Sequence, residues 1–257
     1  MTDSKALAFV NFYAAMGTLE TYCKLDKEAR ELAKQKNIAI RFKIKGGPDG
    51  VLAFKDGDVT ARPYKKGDKF DIGLSFPSCD DFNKMVADGK ASVLPTKGLT
   101  KIKFVLDKQS PFNVLTDKMA KIMRQTEFKN DEELTLSVLL TFSAMGAAIA
   151  EIGNHDPKGM VANKHWADGE VAMIIPGVAE QYILKKNGVL TFHREPAKNP
   201  RAKFVFRNIE VTKGVIDGAL DAMTCIGTGD IAMSGMCFML DDLNKCLNLV
   251  PEYLAQR

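Results

Sequence analysis

Cysteine is scarce and unpatterned in this 257-residue chain: Cys23, Cys79, Cys225, Cys237 and Cys246, with no Cys-x-x-Cys pair. An odd, scattered set excludes a small disulfide scaffold and implies reduced thiols, hence a cytoplasmic location. Histidine is scarcer still. His155, His165 and His193 are the whole supply, and the first half has none. No run approaches the roughly 18 apolar residues that a membrane span needs. The opening Met1-Thr2-Asp3-Ser4-Lys5 lacks the apolar block of a secretory leader. A phosphate-cradling loop is missing too: Gly227-Thr228-Gly229-Asp230 is a lone Gly-x-Gly that precedes an expected strand, so it reads as a turn. What is present, 46% apolar and 26% charged residues, is the composition of a globular protein with enough chain for one large core or two smaller ones.

The net charge of +4 conceals an asymmetry. Lys+Arg against Asp+Glu gives 24 − 16 = +8 for residues 1–130 and 12 − 16 = −4 for 131–257. A basic half suits nucleic acid, an anionic membrane surface, an acidic partner, the acidic other half of the same chain or simply solvent. Arg41, Lys43 and Lys45, with Lys101 and Lys103, fall on alternating positions of expected strands and share an outward face. No zinc knuckle, recognition helix or aromatic ribonucleoprotein motif accompanies them, so nucleic acid is not expected as a partner. Transient contact of this half with an anionic membrane is retained.

Internal similarity carries the most information. Ala15-Met16-Gly17 recurs as Ala144-Met145-Gly146, and Lys55-Asp56-Gly57 as Lys186-Asn187-Gly188. Gly89, Gly98 and Ile102 recur as Gly218, Gly227 and Ile231. The offsets are 129, 131 and 129 residues in unchanged order, which predicts two copies of one domain, 1–128 and 129–257, joined near 126–131.

Each copy has the same grammar. In the first, Asp3 and Ser4 cap a helix carrying Leu7 and Val10, and a second helix runs over 18–36. Ile38, Ile40, Phe42 and Ile44 then alternate with polar residues, as a half-buried strand does. Asp56-Gly57 signals a hairpin. Asp80 and Asp81 open a helix ended by Gly89, Ile102–Val105 reads as the last strand, and an amphipathic helix through Phe112, Leu115, Met119 and Ile122 closes the copy. In the second, a long apolar helix over 134–152 is followed by a loop over 153–169, strands near 171–175, 181–184, 189–193 and 202–206, a helix over 209–220, a strand at 231–233 and a closing helix over 239–250. Helices, a hairpin-rich sheet, then helices again indicate an α+β fold with mostly antiparallel sheets.

Reactive constellations are thin. His155 and His165 lie in the expected loop and His193 on a solvent-facing strand position; no set of three or four ligands forms a metal site. Cys225, Cys237 and Cys246 read as small buried thiols, because a catalytic thiol needs a base and His193 is 32 residues from Cys225. No cofactor is expected. The distinctive remainder is apolar: Met223, Met233, Met236 and Met239 crowd the last 35 residues with Phe238, and such a surface suits variable apolar guests or an ordinary core.

The whole pattern resembles the sterol carrier protein type 2 family, twice over. In copy one the resemblance rests on Phe42-Lys43-Ile44, Gly50-Val51-Leu52, Asp56-Gly57, Asp71-Ile72-Gly73-Leu74-Ser75-Phe76, Asp88-Gly89-Lys90 and Pro95…Gly98…Lys101-Ile102-Lys103. In copy two it rests on Asp217-Gly218-Ala219, Met223, Gly227, Ile231 and Gly235. The Gly-Asp pair usual after the last strand is absent, Val105-Leu106 and Gly235-Met236 standing in its place, and copy two has Lys203-Phe204-Val205-Phe206 in place of the Asp-led strand. The resemblance implies two tandem α+β domains, each a sheet packed with helices around an apolar cavity that binds a fatty acyl, sterol or isoprenoid lipid without chemistry. Expected lining residues are Phe112, Leu115 and Met119 in copy one, and Met233, Met236, Met239, Leu240, Leu243 and Leu247 in copy two. Two rivals remain: an enzyme on an apolar substrate in the same cavity, using Cys225 or His193, and a structural or adaptor protein with a packed core.

Overall fold

The computed structural model describes residues 2–89 and 92–254; Lys90, part of the Asp88-Gly89-Lys90 motif, lies outside the described residues. The chain divides into two compact units, Met1–Glu127 with Tyr253–Arg257, and Phe128–Glu252. Tyr253, which a division at residue 129 places with the second half, is grouped with the first.

The first unit opens on one long helical run whose hydrogen-bond period changes on the way. Asp3 caps α1 (Ser4–Phe9) by accepting the Ala6 N–H at 2.8 Å. A π-helical turn over Val10–Ala15 and a 3₁₀ turn over Met16–Thr18 lead into α2 (Leu19–Leu25). The helix expected over 18–36 is broken at Asp26. Its backbone is extended (φ −109°, ψ 122°) and its carboxylate accepts the Ala29 N–H at 2.7 Å, which starts α3 (Lys27–Lys34). The strands are β1 (Ile38–Ile44), β2 (Asp49–Lys55), β3 (Asp58–Pro63), β4 (Ile72–Phe76) and β5 (Leu94–Lys97). Helix α4 (Cys79–Asp88) joins β4 to β5. The sheet order is β3-β2-β1-β4-β5, antiparallel except for the β1–β4 pair. Ile38, Ile40, Phe42 and Ile44 are buried, as their alternation requires. Ile102–Val105 is not the last strand. It belongs to a helical stretch, a 3₁₀ turn over Leu99–Lys101 and then α5 (Lys103–Leu106), followed by α6 (Pro111–Arg124). Four residues with three apolar side chains fit either period, and here Phe104 and Val105 are buried together on one helix side. Lys101 and Lys103 therefore leave the strand face on which Arg41 stands.

The second unit starts with α7 (Asp131–His155) and α8 (Pro157–His165). Then follow β6 (Gly169–Ile175), β7 (Ala179–Lys186), β8 (Val189–His193), β9 (Pro200–Phe206), α9 (Ile209–Ile216), α10 (Ala222–Thr228), β10 (Ile231–Gly235), α11 (Cys237–Leu247) and α12 (Val250–Leu254). Most of the loop expected over 153–169 is α8, initiated by Asp156, whose carboxylate accepts the Lys158 and Gly159 N–H groups. Against the expectation from its sequence, α7 is long and apolar enough to cross a membrane, yet 78% of its most apolar window is buried within the protein, where it packs against β8, α8, α9 and α11. It is the central core helix of this unit.

The second sheet runs β8-β7-β6-β9-β10 with β6 and β9 parallel, the strand order of the first sheet. Local devices match as well. Asp56-Gly57 and Asn187-Gly188 both take left-handed backbone (φ 53°, 90° and 52°, 80°), the type I′ requirement of a two-residue hairpin. Ser78 and Asn208 cap α4 and α9. One expected correspondence shifts: the counterpart of Gly98 is Gly235, not Gly227. Each follows its edge strand at positive φ, and a Cβ there would lie 2.1 Å from the Asp71 carbonyl oxygen or 2.2 Å from that of Arg201. Ile102, on a helix, and Ile231, on a strand, do not correspond.

Candidate functional site

The expected lining residues divide by element. Ser110 caps α6 by accepting the Asn113 N–H, and Pro111 occupies the first turn, where its missing N–H costs nothing. This orients Phe112, Leu115 and Met119 inward, all buried. The Phe112 ring lies 6.3 Å from Phe54 of β2 and 6.4 Å from Phe104, and Phe54 meets Phe104 edge-on at 5.4 Å. A second aromatic group joins Phe42 and Phe76 of the sheet to Phe12 and Phe82 of the helical segments packed on it. In the second unit Met239, Leu240, Leu243 and Leu247 are buried along one side of α11. Met233 is not with them: it stands 43% exposed on β10, an edge strand on which only Ile231 is buried. Met236, just before α11, is half-buried. The two closing helices occupy comparable positions, α6 packing on α2 and α3, α11 on α7 and α8. Side chains hold them there, without strand pairing.

A groove of about 500 Å³ opens on the first unit between α1 and α4, within the range of small-molecule sites. Leu7, Val86, Ala87 and Tyr253 supply its apolar lining. Its polar side is a relay: buried Asn11, on the π-helical turn, donates to the Asn83 Oδ1 at 2.9 Å. Asn83 donates to the Ser4 carbonyl at 2.9 Å, and the Ser4 hydroxyl donates to Asp80. Turns of this kind recur at functional sites. Sequence reasoning missed the groove; the available signal was a lone amide, Asn11, in the apolar run Val10-Asn11-Phe12.

Groups capable of chemistry are dispersed. Burial pushes the Cys23 and Cys246 thiols up to about 12, reinforced by Asp26 and Asp242 respectively. Cys225 is buried, but Cys237 is exposed at the first turn of α11, contrary to its expected burial, because the apolar side of that helix begins only at Met239. His193 stacks on Tyr182 with centroids 4.5 Å apart, from β8. Cys225 sits on α10, which packs on β10. Strands β8 and β10 are the two edges of one five-stranded sheet, about 19 Å apart at the usual strand spacing, so thiol and imidazole cannot pair. His155 ends α7 with its Nε2 3.4 Å from Glu151, whose carboxyl is raised by burial and lowered in part by His155. His165 ends α8 and is exposed. Among the described residues no three His, Cys, Asp or Glu side chains gather as metal ligands would.

The outward face of the first sheet is less open than its cations imply. Arg41 donates to both Asp49 carboxylate oxygens at 2.8 and 2.7 Å, and its guanidinium lies 3.5 Å over the Tyr64 ring. Lys97 sits 4.7 Å over Phe70 and donates to the Phe70 carbonyl.

No family model matches the chain, and no curated protein matches it. Among solved structures, one described as "UbiJ-SCP2 Ubiquinone synthesis protein" is similar at 11% identity and a TM-score of 0.34, over 43% of this chain and 95% of its own. The inverting sec-alkylsulfatase Pisa1 from Pseudomonas sp. is similar at 11% identity and a TM-score of 0.25, over 53% of this chain and 27% of its own.

Proposed function

We propose that this chain binds and carries an apolar small molecule, a fatty acyl, sterol or isoprenoid lipid, without altering it chemically. The supporting observation is that both units bury the apolar side of a closing helix, Phe112, Leu115 and Met119 in one and Met239, Leu240, Leu243 and Leu247 in the other, against two helices that precede the unit's sheet, α2 and α3 in one and α7 and α8 in the other. A helix held by side chains alone lifts without breaking a strand ladder, and methionine on its inner side adapts to guests of different shape. Of the motifs that resemble sterol carrier protein type 2 domains, Phe42-Lys43-Ile44, Gly50-Val51-Leu52 and Ile72–Phe76 in the first unit and Ile231 and Gly235 in the second lie on the sheets. Burial of a long acyl chain at about 25 cal/mol per Å² suffices for micromolar affinity before ordering costs are subtracted.

Native mass spectrometry of freshly purified protein, with displacement of a fluorescent fatty acid, tests the reading. Co-purifying lipid and saturable displacement are expected. Leu115→Trp should weaken displacement at least tenfold if the guest lies beneath α6, whereas Ala87→Trp should do so if it lies in the α1–α4 groove. Neither lipid nor displacement in the parent protein would sink the proposal. Cys225→Ala and His193→Ala should leave affinity unchanged.

A further inference from the structure

The two sheets end in edge strands of opposite character. Around β5, Leu94, Leu99 and Leu106 stand 66%, 68% and 62% exposed. Leu99 and Leu106, seven residues apart on the helical stretch that follows β5, share one side of it, while Phe104 and Val105 on the other side are buried in the first unit. Asn113 fastens this stretch from below by donating to the Val105 and Asp107 carbonyls, each at 2.8 Å. The leucines are therefore held outward by a fixed scaffold. Residues 92–108 carry four lysines and one aspartate, 4 − 1 = +3. Lys65, Lys66 and Lys69 are exposed on the neighbouring loop, whose Phe70 ring lies under Lys97 of β5.

From this surface we infer a docking face for an anionic lipid bilayer. Exposed leucines interleaved with lysines on a rigid support match an interface that is apolar at acyl depth and negative at headgroup depth. Strand addition by a protein partner fits less well: β5 has four residues, and Pro95 lacks the N–H that a new strand would use. The other edge provides the contrast. Near β10, Met223 and Phe238 are 65% and 77% exposed, but no Lys or Arg occurs between Lys213 and Lys245, while five aspartates do. An anionic surface repels that edge, so docking is one-sided, through the first unit. The face would set a lipid carrier against its donor membrane, and so rests on the proposed function for its purpose but not for its physics.

Co-sedimentation with phosphatidylcholine vesicles, with and without phosphatidylserine, tests it on the 257-residue chain stripped of lipid. Binding is expected only to the phosphatidylserine vesicles and should be released by salt. The L99E/L106E and K103E/K108E variants alter exposed positions, should retain the parent melting temperature, and should each lower binding at least tenfold. M223E/F238E should bind like the parent. The inference falls if the parent ignores anionic vesicles at low salt, if L99E/L106E binds undiminished, or if M223E/F238E removes binding. It falls equally if L99E/L106E abolishes self-association in sedimentation equilibrium while vesicle binding persists, since a second copy would then be the occupant. Fatty-acid displacement, run in parallel, reports on the carrier reading separately.

Discussion

Asp26 and Cys23 show how closely single residues are tied to the packing around them. The Cys23 thiol is buried behind the cap that Asp26 makes; burial raises it and the Tyr22 hydroxyl, and the same carboxylate adds to both shifts. Cys246 is raised likewise, beside Asp242. The ordinary thiol value is 9.0 and the folded value about 12, so the unfolded chain gives up these protons first. Their contribution to stability is complete below pH 9 and drains away as pH rises from 9 towards 12. Denaturant midpoints should fall across that window, and Cys23→Ala with Cys246→Ala should flatten the decline even though each costs stability at neutral pH. Ellman's reagent in native buffer should label Cys237 first and leave Cys23 and Cys246 until the protein unfolds.

At the scale of elements, two helix breaks do the same work with unequal means. Asp26 receives one backbone N–H from the helix it starts, whereas Asp156 receives two, from Lys158 and Gly159, and is buried. Loss of either cap costs about 1 kcal/mol, more where the orphaned groups are buried. Urea denaturation should therefore show Asp156→Ala destabilised by about 2 kcal/mol and Asp26→Ala by about half of that. Equal losses would mean that burial of Asp156 adds nothing. Neither cap was legible, because the helical spacing of apolar residues runs straight across Asp26 and the segment after Gly153 has too few apolar residues to mark a helix. The Asp3 cap, the alternation of β1 and the Asp56-Gly57 and Asn187-Gly188 hairpins were legible because each depends on a residue type at a fixed local position. The edge strand β5 was not: all four of its residues are exposed, so no period marks it, and Ile102–Val105 nearby, with three apolar residues and an alternating Ile-Lys-Phe, was the better strand by composition. The closing-helix side chains were legible from helical spacing. Met233 was not, since an abundance of methionine gives no direction in which a strand turns its side chains, and the π-helical turn that holds Asn11 leaves no mark in composition.

On the scale of the whole molecule, the grouping of Tyr253 with the first unit joins distant parts of the sequence. Its hydroxyl accepts the Asp3 N–H at 3.3 Å, and its ring is 1% exposed while lining the α1–α4 groove. Emptying such a site costs about 3–5 kcal/mol. Tyr253→Ala should lower the unfolding transition of the first unit, followed by fluorescence of a tryptophan placed at Phe70, and leave that of the second, followed by its own Trp166. A shift of the Trp166 transition alone would contradict the assignment.

Tyr253 also bears on how the protein is born. A ribosome emits residues 1–127 early, and they fold with one wall of the groove missing until synthesis has passed residue 253. Nascent chains halted just short of that point should expose Leu7 and Val86 to proteases or chaperones. Maturation of the half made first thus waits on a turn of helix made more than a hundred residues later.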